Sequence, residues 1–157
     1  MAAPIFKILI GIPGSGKSRW VKENAGDDEI VCPDEIRWTM FKDQPYSSDW
    51  NPLIWFAAKY SIINNLKKGR NVILDATNVT TRLRHDVLLI LPSKCKKWAV
   101  LFPVDPDVAY CRIQKDMKRG CQRADVREDY VYKAWGEFEY TRKIINNEGY
   151  DRIIEAE

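Results

Sequence analysis

Apolar residues fall into two rhythms along the chain. Compact runs at Phe6–Ile10, Asn71–Leu74 and Trp98–Val104 have the length and continuity of strands covered on both faces. Glu29–Cys32 and Arg152–Ile154 are shorter strands of the same kind. The segments between them read as helices: Lys17–Asn24, Asp34–Phe41, Leu53–Lys68, Thr80–Leu91 and Arg127–Asn146. In Leu53–Lys68 the apolar residues recur at helical spacing, and Gly69 stops the helix. Pro33 stands just before the second helix and Pro92 closes the fourth. Asp105 and Pro106 open a further helix as cap and first-turn residue; it runs to Arg119 and stops at Gly120. Gln44–Pro52 and Cys121–Val126 are irregular. Strands that alternate with helices imply right-handed crossovers, hence a mostly parallel sheet of four to five strands between helical layers.

The 157 residues suit one domain spanning 1–157. With 45% apolar and 30% charged residues, the composition is that of a globular protein with a real core. The four cysteines have no C-x₂-C spacing, and His85 is the only histidine, so a zinc site is not expected. Free thiols in a reducing cytoplasm are the simpler account. The run Ile5–Ile12 is too short for a signal peptide and is interrupted by Lys7. No stretch approaches the roughly 20 apolar residues of a transmembrane helix. A cytoplasmic protein without membrane association is therefore expected.

Chemistry enters at Gly11–Ser18. The segment GIPGSGKS fits G-x-x-x-x-G-K-[ST] without a mismatch, between a strand and a helix. Gly11, Gly14 and Gly16 let the backbone of the loop, with Pro13 and Ser15, curl its N–H groups towards phosphate oxygens. The helix beginning at Lys17 adds its positive end. In such a loop the lysine reaches the β- and γ-phosphates and the hydroxyl of Ser18 ligates Mg²⁺. ATP with Mg²⁺ is thus the expected cofactor. The dinucleotide fingerprint does not fit, because Arg19 stands where a third small residue is needed.

Two carboxylates follow at strand ends. After the second strand comes Pro33-Asp34-Glu35-Ile36-Arg37, at the edge where open parallel sheets bind ligands. Asp34 there can accept the proton of an attacking hydroxyl, and Arg37, on the same helix face, can hold an acceptor phosphate. Equally, Asp34 can be a helix cap and Arg37 a surface charge. Val72-Ile73-Leu74-Asp75 is an apolar strand ending in an acid, the form that holds Mg²⁺ directly or through water. Ala76-Thr77-Asn78 can bind phosphate oxygens or orient the loop, and Arg82 and Arg84 follow within two turns.

The net charge of +3 is mild, but residues 82–127 carry eleven Lys/Arg against five Asp. Lys115, Lys118, Arg119, Arg123 and Arg127 surround Gly120, as in a helical lid over residues 112–130 that closes over a nucleotide. The alternative is a solvated helix end whose cations suit the dipole. Asp105 and Asp107 imitate a phosphatase motif, but position 109 is Ala and capping accounts for both. Tyr46, Trp50 and Trp55 can stack a base, though core or groove packing is the simpler reading.

With these residues placed, the chain resembles the kinase domain of the phage polynucleotide kinase/phosphatase family, among the small P-loop kinases. The resemblance is carried by Gly11–Ser18, Asp34-x-x-Arg37, Asp75-Ala76-Thr77-Asn78 and Lys118-Arg119-Gly120. It implies a three-layer P-loop fold and phosphoryl transfer from ATP to the 5′-hydroxyl end of DNA or RNA, in nucleic acid repair. It implies Lys17 and Ser18 on ATP and metal, and Asp34 as general base. Arg37 then falls on the acceptor's 3′-phosphate and Arg119 on the ATP phosphates. In the family the acid of the third element stands one position later than Asp75, while Thr77 and Asn78 align. No phosphatase segment follows, so a kinase-only chain is expected. Arg123 joins the expected nucleotide contacts, and Thr77, Asn78, Arg82 and Arg84 the expected substrate contacts, with Asp75 and Ser18 on metal. A kinase of a nucleoside or other small metabolite is the alternative, and a non-enzymatic nucleotide switch a third reading.

Overall fold

A computed structural model of the protein describes residues 2–121 and 126–157. In chain order the strands are β1 (Ile5–Ile10), β2 (Glu29–Val31), β3 (Val72–Leu74), β4 (Lys96–Leu101) and β5 (Arg152–Glu155). The helices are α1 (Lys17–Asn24), α2 (Pro33–Phe41), α3 (Asn51–Lys67), α4 (Thr81–Leu89), α5 (Pro106–Lys118) and α6 (Glu128–Ile144). The five strands form one sheet in the order β2-β3-β1-β4-β5. Every pairing is parallel. The carboxyl ends of all five strands therefore lie along one edge, and the loops that follow them meet there.

β1 sits at the centre, with Phe6 in register with Val72 on one side and Lys97 on the other. Alternation along it divides the core. Phe6, Ile8 and Ile10 pack with Ala58 and Ile62 of α3, Val87 of α4, Ile113 of α5 and Phe138 of α6. Leu9 faces the opposite side, where Val21 and Trp20 of α1 cover the sheet. The charge of Lys7 within this central strand is met by Asp28 at 2.6 Å, both side chains being largely buried, and its ammonium lies 5.5 Å from the Trp98 ring centre.

Element bounds follow the apolar pattern closely, with two departures. β4 begins at Lys96 and ends at Leu101, rather than spanning Trp98–Val104. Lys96 and Lys97 pair with Ile5 and Phe6, so register with the central strand overrides their polarity. The ladder makes one more bond, Phe102 N to Ile10 O at 2.9 Å; Pro103 then has no N–H to donate. Within the irregular stretch a 3-10 turn forms at Ser48–Trp50 and leads into α3, whose first turn takes Pro52. Asp105 caps α5 as expected, its Oδ1 accepting from Asp107 N at 2.8 Å.

Phe138 tests the larger core. It is fully buried and stacks on Trp135 at 5.3 Å between ring centres. Phe138→Ala is expected to lower the unfolding free energy in urea by about 3–5 kcal/mol.

Candidate active site

The loop between β1 and α1 turns on its glycines. Gly14 has φ +80° and Gly16, the N-cap of α1, has φ +95°, both in the left-handed region. A methyl group on Gly14 would stand 2.4 Å from the Ala109 carbonyl oxygen, and one on Gly11 would stand 2.8 Å from Phe102 Cβ. The loop is thus wedged between the sheet edge and α5. Gly11 N donates to Thr77 O at 3.0 Å, which ties it to the loop after β3. Lys17 is 9% exposed, and its ammonium donates to Gly11 O (2.9 Å), Ile12 O (2.8 Å) and Ser15 Oγ (3.3 Å). The loop curls around this cation at the positive end of α1. Ser18 is exposed one residue further on.

Two carboxylates share this edge with the lysine. Asp75 leaves β3, its N–H bonded to Val31 O at 2.9 Å, and Asp34 lies exposed in the first turn of α2. Burial pushes the Asp75 carboxyl above its ordinary value, Lys17 pulls it down, and the charges of Asp34 and Glu35 push it up again. Burial likewise pushes the Cys32 thiol up to about 11, with Asp75, Asp34 and Glu35 adding to the shift against the Glu35 N–H. The strand topology thus brings one cation and two further carboxylates, from two other stretches of sequence, within electrostatic reach of Asp75.

The loop after β3 corrects two expectations. Asn78 does not offer its amide to a substrate. It is 2% exposed, holds φ +50°, and donates through Nδ2 to Leu9 O at 2.7 Å and Ala76 O at 3.2 Å. It orients the loop. Arg84 is fully buried and out of reach of any substrate. Its guanidinium bonds Glu148 at 2.9 and 2.6 Å, Asn78 O at 3.0 Å and Thr81 Oγ1 at 3.4 Å. A charge removed from water needs such a bidentate partner. Glu148 lies 64 residues away, so no local pattern pairs it with Arg84. Thr77 and Arg82 stay accessible, half-buried and exposed respectively.

Arg37 is half-buried and already engaged. It donates to Ser47 O at 3.3 Å and to Asn51 Oδ1, and its guanidinium carbon lies 4.7 Å from the Tyr46 ring centre. It pins the 44–51 stretch against α2. Arg119 is exposed at the end of α5, while Arg123 lies outside the described residues. A cation not foreseen is Arg112 on α5, whose Nη1 donates to Gly14 O at 3.4 Å. The clue was its spacing: Arg112, Lys115 and Arg119 are three and four apart and share a helix face.

Among the described residues no cluster of three or more His, Cys, Asp or Glu could enclose a metal. A hydroxyl at Ser18 and a half-buried carboxylate at Asp75 are hard oxygen donors. Mg²⁺ is commonly held by one or two such carboxylates together with substrate phosphates, and like charges around Asp75 favour a cation beside it. The donor set fits. Among the described residues no helix is long and apolar enough to cross a membrane.

Residues 7–139 match the sequence profile of an AAA domain family. A chain in the structure of the Pnkp1/Rnl/Hen1 RNA repair complex superposes with a TM-score of 0.80 at 25% identity, over 91% of this chain and 46% of that one. The present chain thus spans less than half the length of that relative. A putative kinase from Chloroflexus aurantiacus matches with TM-score 0.68 at 15% identity, covering 99% of this chain and 86% of that one. A gluconokinase from Sinorhizobium meliloti matches with TM-score 0.57 at 15% identity, covering 99% and 83%. The last two share the fold.

Two expectations follow from the buried charges. Arg84→Ala strands the Glu148 carboxylate and should cost about 3–5 kcal/mol in chemical denaturation. For Asp75 the folded state keeps its proton to higher pH than the unfolded chain, whose carboxyl has the ordinary value of 3.8. The native state therefore loses stability as pH rises through the raised native value. Asp75→Asn should melt at a higher temperature than wild type at pH 7 without added metal. The gap should close below the ordinary carboxyl value.

Proposed function

Since the chain belongs to the AAA domain family and shares its fold with kinase structures, we propose that it transfers the γ-phosphoryl group of ATP to the 5′-hydroxyl end of a polynucleotide. The observation that carries this reading is the meeting of Lys17, Asp75 and Asp34 at one sheet edge, beyond the carboxyl ends of the neighbouring parallel strands β1, β3 and β2. A phosphate-binding lysine supports nucleotide binding by itself. A solvent-facing carboxylate at the same edge, Asp34, supports an acceptor hydroxyl.

In the proposed reaction the loop N–H groups and Lys17 hold the β- and γ-phosphates, Lys17 exchanging its carbonyl partners for phosphate oxygens. Asp34 takes the proton of the 5′-hydroxyl as its oxygen bonds to the γ-phosphorus. The bond from that phosphorus to the bridging oxygen breaks and ADP leaves. Ser18 and Asp75 would hold Mg²⁺, which neutralises charge on the transferring group. Arg112, which donates to Gly14 O, supplies positive charge beside the loop, and Lys115 and Arg119 extend it along the same face of α5. Thr77, in the loop bonded to Gly11, is available to the acceptor. Arg37 commits two of its five N–H donors to the chain itself and has others for an acceptor phosphate. The likeness at 25% identity to a chain of an RNA repair complex supports a nucleic-acid acceptor over a small metabolite.

Incubation with γ-labelled ATP, Mg²⁺ and a 5′-hydroxyl oligonucleotide tests the reading. Label should appear at the 5′ end. Lys17→Ala should slow transfer by at least about 10²-fold, and Asp34→Ala by about 10²–10⁴-fold with ATP binding retained. An Asp34→Ala rate within a few-fold of wild type would remove its assignment as base. Transfer to a nucleoside no worse than to its 3′-monophosphate would favour a small-metabolite kinase.

A further inference from the structure

Beyond the reaction centre, the carboxyl edge carries a cleft of about 300 Å³ between α3 and α4. One wall is Trp55 and Lys59 of α3; the other is Thr80, Arg82, Leu83 and Asp86 at the start of α4. Its volume is at the small end of ligand sites, enough for one planar group. The lining combines a half-buried indole with two cations and one carboxylate. Arg82 and Asp86 are four apart on the helix, so the carboxylate can steady the guanidinium. The first turn of α4 adds the positive end of a nine-residue helix.

The cleft continues from the acceptor side of the site. Arg37 bonds the side chain of Asn51, the first residue of α3. Trp55 and Lys59 follow Asn51 at successive intervals of four, on one face of the helix and about 6 and 12 Å further along its axis. A strand whose first phosphate lies at Arg37 would meet an aromatic ring and then a lysine. Ring and cation in sequence are the components of single-strand binding: a face for a base and a charge for the backbone.

We infer that the α3–α4 cleft binds the second nucleotide of the acceptor strand, its base against Trp55 and its phosphate between Lys59 and Arg82. This rests on the reading of the acceptor as a polynucleotide. It goes further in assigning a subsite that an acceptor of one nucleotide does not reach, and so predicts a preference for oligonucleotides over nucleoside 3′-monophosphates.

Steady-state transfer to a nucleoside 3′-monophosphate and to a short 5′-hydroxyl oligonucleotide tests it. Lys59→Ala should raise the oligonucleotide KM by about three- to tenfold relative to that of the mononucleotide. It should flatten the dependence of log KM on log salt for the oligonucleotide by about 0.7, and Lys59→Arg should restore both. Trp55→Leu, checked for folding by its melting curve, should raise the same KM ratio about tenfold. An unchanged KM ratio in both variants, with wild-type transfer intact, overturns the subsite and leaves the kinase reading standing. A parallel rise for both acceptors overturns it too, since the cleft would then act on the reaction centre. Failure of the wild type to label any polynucleotide overturns the kinase reading and the subsite with it.

Discussion

A single added methyl group at Gly14 would stand 2.4 Å from the Ala109 carbonyl oxygen. That close approach of two backbones is the constraint on which the site depends. It seats the phosphate loop against α5, and the bond from Gly11 N to Thr77 O seats the other end against the loop after β3. Because the loop is held on both sides, the ammonium of Lys17 is enclosed by carbonyl oxygens rather than spread into solvent. Loop, α5 and the residues after β3 therefore form one unit, fixed to the central strand β1.

The polar groups around that unit divide by what they face. Arg84, Glu148 and Asn78 are turned inward and bond to one another or to backbone, so their charges and dipoles support the loop from below. Removing either charge would leave the other desolvated, which is why such pairs are structurally demanding whatever their net contribution. Asp75, Asp34 and Glu35 lie at the open edge, where their mutual repulsion and the burial of Asp75 are unfavourable to the protein alone. A cation or a proton would relieve them. Accumulated unfavourable charge at a sheet edge is characteristic of sites that act on ligands.

Much of this was legible along the chain. The strand runs, the glycine pattern of Gly11–Ser18, the caps at Asp105 and the stop at Gly120 are local, and local patterns reveal local structure. Arg84 was misread because nothing within a few residues distinguishes a buried arginine from an exposed one; of the two readings open for Asn78, loop orientation is the one its hydrogen bonds support. Arg82, two positions before Arg84, is exposed, and only the rotation of α4 against the core separates the two arginines. The partner of Arg84 comes from the turn before β5. Arg112 was overlooked for a different reason: its role comes from the packing of α5 onto the phosphate loop, and the helix face it shares with Lys115 and Arg119 was the available hint.

The sequence by itself determined the layered α/β architecture, the phosphate loop and the positions of the two strand-end acids. Each follows from spacing within one short segment: alternation, glycine placement, or an acid closing an apolar run. The tertiary structure decided which charges face inward, which meet at the edge, and that a cleft opens between α3 and α4. Those outcomes depend on strand order, β2-β3-β1-β4-β5, which brings Asp34, Asp75 and Lys17 together across the sheet. Parallel pairing is fixed by crossovers and long-range packing, and electrostatic interactions follow distance through space rather than separation along the chain.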